Sequence, residues 1–216
     1  MKLKGRLICF IGIDGSGKST LAGMLYDELT SKGYSVDVKW LRMNYFFTKP
    51  VLLFCRITGL TRRPSVGTKK ISVHEFYRCP PIAWAVRWLH SLDTFLHYIF
   101  KIYLPLLFTK KVIICDRFLH DVFVDFAIEG RRERVFDTIL FKVCKNLMLS
   151  KAICLLILTP EKDILKRRPD VLLYDKDFAR RFRVFNELSK SGDLQIIHNT
   201  EDLNFAFQQV LASIQK

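Results

Sequence analysis

Gly12-Ile13-Asp14-Gly15-Ser16-Gly17-Lys18-Ser19-Thr20 sets the frame for the whole chain. It follows the apolar run Leu7-Ile8-Cys9-Phe10-Ile11, which reads as a buried strand, and precedes Leu21-Ala22-Gly23-Met24-Leu25, which has helical spacing. This is the pattern G-x-x-x-x-G-K-[ST] in strand, loop and helix order, the context in which it cradles phosphate. Glycines let backbone N–H groups turn inward around an anion, and the helix that starts there adds the positive end of its dipole. Gly12, Asp14, Gly15, Ser16, Gly17, Lys18, Ser19 and Thr20 are therefore the expected ATP-binding set. Lys18 is expected to reach the β- and γ-phosphates and the Ser19 hydroxyl to hold Mg²⁺. A chance glycine-rich turn would lack the flanking strand and helix.

After the loop the spacing predicts a helix over residues 19–32, closed by Gly33, and a period-two strand from Tyr34 to Trp40. One such unit implies a parallel sheet with right-handed crossovers. Apolar runs at 111–117, 152–158 and 194–199 read as further strands, with helical patterns over 118–149, 175–190 and the C-terminus. The fold class is α/β, a three-layer P-loop NTPase fold with a parallel sheet of about five strands flanked by helices. Residues 61–70 read as a polar, basic loop, and Trp84 to Phe108 as an apolar helix. Its part from Phe95 to Phe108 carries Lys101 and Pro105 and is shorter than the roughly 20 residues a membrane span needs, so it is expected as a core helix. Thr159-Pro160-Glu161 reads as a helix start with Thr159 as N-cap and Pro160 at the first helical position. That helix carries Lys166-Arg167-Arg168 and stops at Pro169.

A chain of 216 residues, 50% hydrophobic, suffices for one domain over 1–216. Its six cysteines form no C-x-x-C pair, and three sit in apolar runs. They read as buried hydrophobes in a reducing compartment, which argues against a zinc or disulfide scaffold. No signal-peptide pattern precedes the first strand, and a cytoplasmic location is the expectation. The net charge of +14, from 35 Lys and Arg against 21 Asp and Glu, exceeds what one nucleotide site uses. The surplus is either a basic solvated surface or the mark of an anionic partner, a membrane or a nucleic acid, although no specific nucleic-acid motif is evident.

Val112-Ile113-Ile114-Cys115-Asp116-Arg117 ends an apolar strand in an acid and a base. Carboxyl ends of parallel strands face the ligand, so Asp116 and Arg117 are expected beside the loop, Asp116 sharing Mg²⁺ with Ser19. The plain alternative is a turn with a surface ion pair.

Residues 12–20, the segment Val112 to Phe118, and Thr159-Pro160-Glu161 with arginines shortly after it together resemble the thymidylate kinase family of nucleoside monophosphate kinases. The resemblance implies ATP-dependent phosphoryl transfer to a nucleoside monophosphate, dTMP or a relative, and a homodimer. It implies that Asp14 touches the acceptor's sugar hydroxyl and that Arg117 binds the acceptor phosphate. Some family members carry a catalytic arginine in the loop after the acid, and others supply it from a mobile lid. With Gly15 at that place this chain resembles the lid type, with a lid at about 160–178 and Arg167 or Arg168 joining Lys18 as catalytic residues. The plain alternative for Lys166-Arg167-Arg168 is a solvated helix end.

The acceptor region, about 41–110, departs from the family pattern. The family's Arg-Glu-Pro element after the second strand is replaced by Trp40-Leu41-Arg42-Met43-Asn44, leaving Arg42 as a shifted stand-in. His90 and Thr94 stand where the family stacks a Phe on the base and reads it with an Arg, and threonine has no bidentate fork. The base is therefore unspecified. His90 reads either as a substrate contact or as a satisfied helix-face residue, and His97 and His120 as the latter. Two other functions fit the same loop. One is a kinase of a non-nucleotide or lipid-linked acceptor with peripheral contact to an anionic membrane. The other is a nucleotide-binding regulator, which would not need the lid arginines.

Overall fold

The computed structural model describes residues 3, 5–40, 45–66, 69–70, 72–200 and 202–215. Arg42, the expected acceptor contact, lies outside them. Strand β1 (Leu7–Ile11) is apolar and buried at every position, the signature of a strand covered on both faces. The glycine loop leads to α1 (Lys18–Ser31), and Gly33, at φ +78°, turns the chain into β2 (Val36–Trp40). Next come α2 (Thr48–Ile57) and the two-residue strands β3 (Thr61–Arg62), β4 (Ser65–Val66), β5 (Lys69–Lys70) and β6 (Val73–His74). The long α3 (Pro80–Tyr98) passes through a π-helical turn, Ile99–Tyr103, into α4 (Leu104–Thr109). The second half runs β7 (Val112–Asp116), α5 (Leu119–Glu129), α6 (Ile139–Leu149), β8 (Ala152–Leu158), α7 (Glu161–Arg167), α8 (Val171–Tyr174), α9 (Phe178–Leu188), β9 (Gln195–His198) and α10 (Leu203–Gln215).

The main sheet has the order β2-β7-β1-β8-β9, with every neighbouring pair parallel. Its two faces carry separate cores. Ile11, Cys115 and Leu156 pack with Phe123 of α5, Phe141 of α6 and Phe185 of α9. Ile8, Ile114 and Ile197 pack on the other face with Leu21 and Leu25 of α1 and Val210 of α10. Helices, sheet and helices thus form three layers, as the alternating pattern requires. Cys9, Cys115 and Cys154 stand side by side on adjacent strands, and burial pushes the Cys9 thiol up. A smaller cluster of Leu52, Cys55, Phe76 and Val86 ties α2 to α3.

Three expectations are corrected. Residues 61–70 are not a plain loop: β3 pairs with β6 and β4 with β5, both antiparallel, in strands too short for a period-two pattern to register. The apolar run to Phe108 is helical but gives only one face to the core: Ile102 is buried there with Phe95, Tyr98 and Leu106 packed beside it, while Phe100, Leu107 and Phe108 are 65%, 58% and 77% exposed. Its π-turn falls where Pro105 has no N–H to donate to an i−4 carbonyl. Helix α7 is capped by Pro160, whereas the Thr159 hydroxyl donates elsewhere, to the carbonyl of Ser16.

Candidate active site

The loop owes its shape to backbone that side chains resist. Gly17, the N-cap of α1, has φ +90°, and a Cβ there would lie 2.3 Å from Asn199 Nδ2. Gly12 has φ +149°, and a Cβ there would lie 2.8 Å from the Ile157 carbonyl oxygen. Only glycine meets both demands, positive φ and close approach. Lys18, 4% exposed, donates from Nζ to the carbonyls of Gly12 and Ile13, each at 2.7 Å, so its stem runs across the loop. One atom of the loop gathers supports from two strands on the far side of β1. The Ser16 carbonyl accepts from Thr159 Oγ1 at 3.0 Å and from Asn199 Nδ2 at 2.7 Å. Thr159 follows β8 and Asn199 follows β9, and the Asn199 N–H donates to Leu158 at 2.8 Å. Sequence reasoning missed both as loop supports. The available signal was a small polar residue placed directly after the carboxyl end of an apolar strand.

The strand end of β7 delivers its acid and base to the loop, as expected. The Ser19 hydroxyl donates to Asp116 Oδ2, and Arg117 forms an ion pair with Asp14. Arg117 has φ +69°, a conformation that costs a non-glycine residue about 1–3 kcal/mol and clusters at functional sites. The other Asp116 oxygen, Oδ1, is buried without a hydrogen-bond partner among the described residues. A hydroxyl and a carboxylate with an unused oxygen match what a P-loop supplies to Mg²⁺, whose remaining ligands are waters and phosphate oxygens. Among the described residues no cluster of three or more His, Cys, Asp or Glu suits a metal. The pair opens on a cavity of about 480 Å³ between α1 and β2, also lined by Tyr26, Asp27 and Asp37. A larger cavity, of about 700 Å³, lies by Arg134, Asp137 and Arg183 and includes no loop residue. The first cavity reaches the start of α1 through Ser19 and the end of β7 through Asp116, and the larger one reaches neither.

The basic cluster of α7 flanks the other side of the loop. Arg167 donates to the Thr200 carbonyl at 2.6 Å, and its Nη1 lies 3.8 Å from where a Gly17 Cβ would stand. The stem of Arg168 passes 3.4 Å from the corresponding point at Gly15, and its guanidinium grips Asp170 at 2.9 and 3.1 Å. Hydrogen bonding to Asp170 holds the Arg168 guanidinium above its ordinary pKa.

Of the residues expected to meet the acceptor, His90 is 6% exposed and its ring lies 4.7 Å from Tyr45 and 5.4 Å from Phe126, packed among aromatic side chains. Thr94 donates to the His90 carbonyl at 2.7 Å. Asp93 was not singled out by sequence. It accepts from the N–H groups of Phe46, Phe47 and Thr48 at 2.9–3.0 Å and from the Thr48 hydroxyl at 2.7 Å. Burial alone would raise its pKa, but these donors bring it below its ordinary value.

A strand, glycine loop and helix at the centre of a parallel five-stranded sheet, with a hydroxyl–carboxylate pair and two ion-pairing arginines at the loop, define a three-layer α/β P-loop fold. Thymidylate kinases are what the chain is similar to in both sequence and fold. It is 28% identical over 121 residues to the thymidylate kinase of Malacoplasma penetrans, 56% of this chain and 48% of the relative. It is 31% identical over 118 residues to that of Pelotomaculum thermopropionicum, 54% and 45% of the two chains. A 34-residue match to an adenylyl-sulfate kinase of Deinococcus deserti is 50% identical and covers 16% of this chain and 19% of the relative. The chain spans about half the length of the thymidylate kinases it matches in sequence. The thymidylate kinase structure from Ehrlichia chaffeensis superposes with a TM-score of 0.57 at 20% identity, covering 97% of this chain and 98% of that one. No family model matches the chain.

Proposed function

We propose that the chain is an ATP-dependent nucleoside monophosphate kinase of thymidylate-kinase type, moving the γ-phosphoryl group of ATP onto dTMP or a related monophosphate. The observation that carries the reading is the pairing of Arg117 with Asp14 at the loop, where an acceptor's phosphate and sugar would meet the donor's end. Arg117 would exchange its carboxylate for the acceptor phosphate, and Asp14 would then turn to the sugar hydroxyl. Lys18 and the loop amides would hold the ATP phosphates. Ser19 and Asp116 would hold Mg²⁺, which neutralises phosphate charge when bound. Arg167 and Arg168 sit on the segment 160–178, proposed as a lid that excludes water and brings a cation to the transferred group. An ionised phosphate acceptor needs no general base, in keeping with the polar groups at the loop.

Residues 41–110 would form the acceptor side, with His90 backing its wall and Arg42 a candidate phosphate contact. The outer faces of α3 and α6, which pack together, expose Trp84, Trp88 and Leu92 beside Ile139, Val143 and Leu147. This exposed apolar stripe supports self-association as a homodimer. A reducing, cytoplasmic setting suits ATP chemistry and six free cysteines. The test is an ADP-release screen against nucleoside monophosphates, with Lys18→Ala as the blank. Turnover with one or a few monophosphates is expected. Folded protein that binds an ATP analogue yet phosphorylates none of them would overturn the acceptor class.

A further inference from the structure

The charge surplus has a location. Between Asp37 and Glu75 the chain holds no acidic residue and eight basic ones: Lys39, Arg42, Lys49, Arg56, Arg62, Arg63, Lys69 and Lys70. Helix α2 lies inside this stretch and has two unlike faces. Thr48, Leu52 and Cys55 point inward to α3, while Leu53, Phe54 and Ile57 point outward at 57%, 52% and 79% exposure. Phe46, 68% exposed and edge-on to Phe47, extends the outward face beyond the helix start. Lys49 and Arg56 are exposed on the same helix, and Arg62 and Arg63 are exposed just after it. Glu75 beside it is already shared by Arg62 at 3.6 Å and Arg78 at 3.1 Å. Asp93, through its four hydrogen bonds to residues 46–48, locks this face in place.

An exposed apolar ridge bordered by cations is what a helix lying in a membrane interface presents: large side chains enter the headgroup boundary and cations meet anionic lipid. A second copy of the chain is a poor occupant here, because a two-fold contact would set this predominantly cationic face against itself, cation to cation. Among the described residues no helix is long and apolar enough to cross a membrane, so the contact is peripheral. We propose that the outer face of α2, with Phe46, Leu53, Phe54, Ile57 and the flanking Lys49, Arg56, Arg62 and Arg63, docks the protein on anionic lipid bilayers.

The test is flotation of the full chain with vesicles of phosphatidylcholine alone or with phosphatidylglycerol, at low and high salt. Binding is expected to the anionic vesicles only, and to weaken as salt rises. Arg62→Gln with Arg63→Gln, both outside any helix, is expected to weaken it roughly 25-fold, at about fivefold per cation. Phe54→Ser with Ile57→Ser is expected to abolish retention at raised salt while leaving circular dichroism, ATP-analogue binding and sedimentation velocity unchanged. The proposal is overturned if anionic vesicles are not bound. It is also overturned if neither double variant weakens binding, or if the serine variant instead dissociates an oligomer, which would assign the face to a second copy. None of these readouts depends on the kinase reaction.

Discussion

The Asn199 carboxamide donates to the Ser16 carbonyl at 2.7 Å, so the strand at one edge of the sheet steadies the loop that hangs from its centre. Asn199→Ala leaves Thr159 as the single donor to that oxygen and opens space beside Gly17. The KM for ATP is expected to rise about tenfold with a smaller change in kcat, at a stability cost of about 1–2 kcal/mol. Steady-state kinetics, a fluorescent ATP-analogue titration and a thermal melt check this. An unchanged KM and analogue affinity would remove Asn199 from the nucleotide site.

Gly17→Ala sets a methyl at φ +90° and 2.3 Å from the Asn199 amide nitrogen. Nucleotide affinity is expected to fall at least about 100-fold. Because part of the damage is the clash with Asn199, Gly17→Ala combined with Asn199→Ala is expected to be milder than the sum of the two. A double-mutant cycle on analogue affinity reads the coupling, and strict additivity would refute the contact.

Arg167 lies beside Gly17, whereas Arg168 is held by Asp170. Arg167→Ala is therefore expected to lower kcat by about 10²-fold or more with little change in KM, and Arg168→Ala by less. Comparing kcat and KM of the two variants tests the assignment. If neither loses turnover, α7 is a solvated helix end and not a lid.

His120 is buried against Phe141, and burial, aided by Lys145, depresses its pKa to about 4 from an ordinary 6.5. The unfolded chain binds its proton first, so between pH 6.5 and 4 the folded state loses stability as pH falls. The full effect is on the order of 3 kcal/mol. His74, also brought to about 4 by burial and by Arg56 and Arg63, acts in the same direction. Thermal melts from pH 7.5 to 4.5 are expected to show Tm dropping with acid. His120→Gln is expected to flatten that slope, and an unaltered slope would show that His120 is not the group titrating.

Asp93 satisfies three backbone N–H groups and a hydroxyl at the start of α2. Asp93→Ala is expected to cost about 2–4 kcal/mol, and Asp93→Asn less. Chemical denaturation measures both. A neutral alanine variant would mean that α2 is held by its apolar face alone.

The strands and the loop were legible because their signals are local. Four apolar runs and one alternating stretch were recognised as strands, and the Ala152–Leu158 strand matches residue for residue. That Asp116 and Arg117 stand beside the loop followed from one topological rule about strand ends, whereas the pairing of Arg117 with Asp14 was not foreseen. What escaped depends on partners distant in sequence. The role of Asn199 requires knowing that β9 ends beside β8, and that of Asp93 requires knowing that α3 lies under residues 46–48. The apolar stretch ending at Phe108 misled because hydropathy records composition, not which face is covered. Two-residue strands are too brief for alternation to mark them.

Strand β1 has a hydrogen-bonded neighbour on each side and no exposed residue, whereas β2 lies at the rim and is half-exposed along its length. Breathing of the native state therefore begins at the rim and reaches β1 last. Deuterium should enter the amides of 36–40 well before those of 7–11. The strand from which the glycine loop hangs thus stays protected while the rim at β2 loosens, a division of rigidity that would let the proposed acceptor region beyond β2 adjust without disturbing the loop.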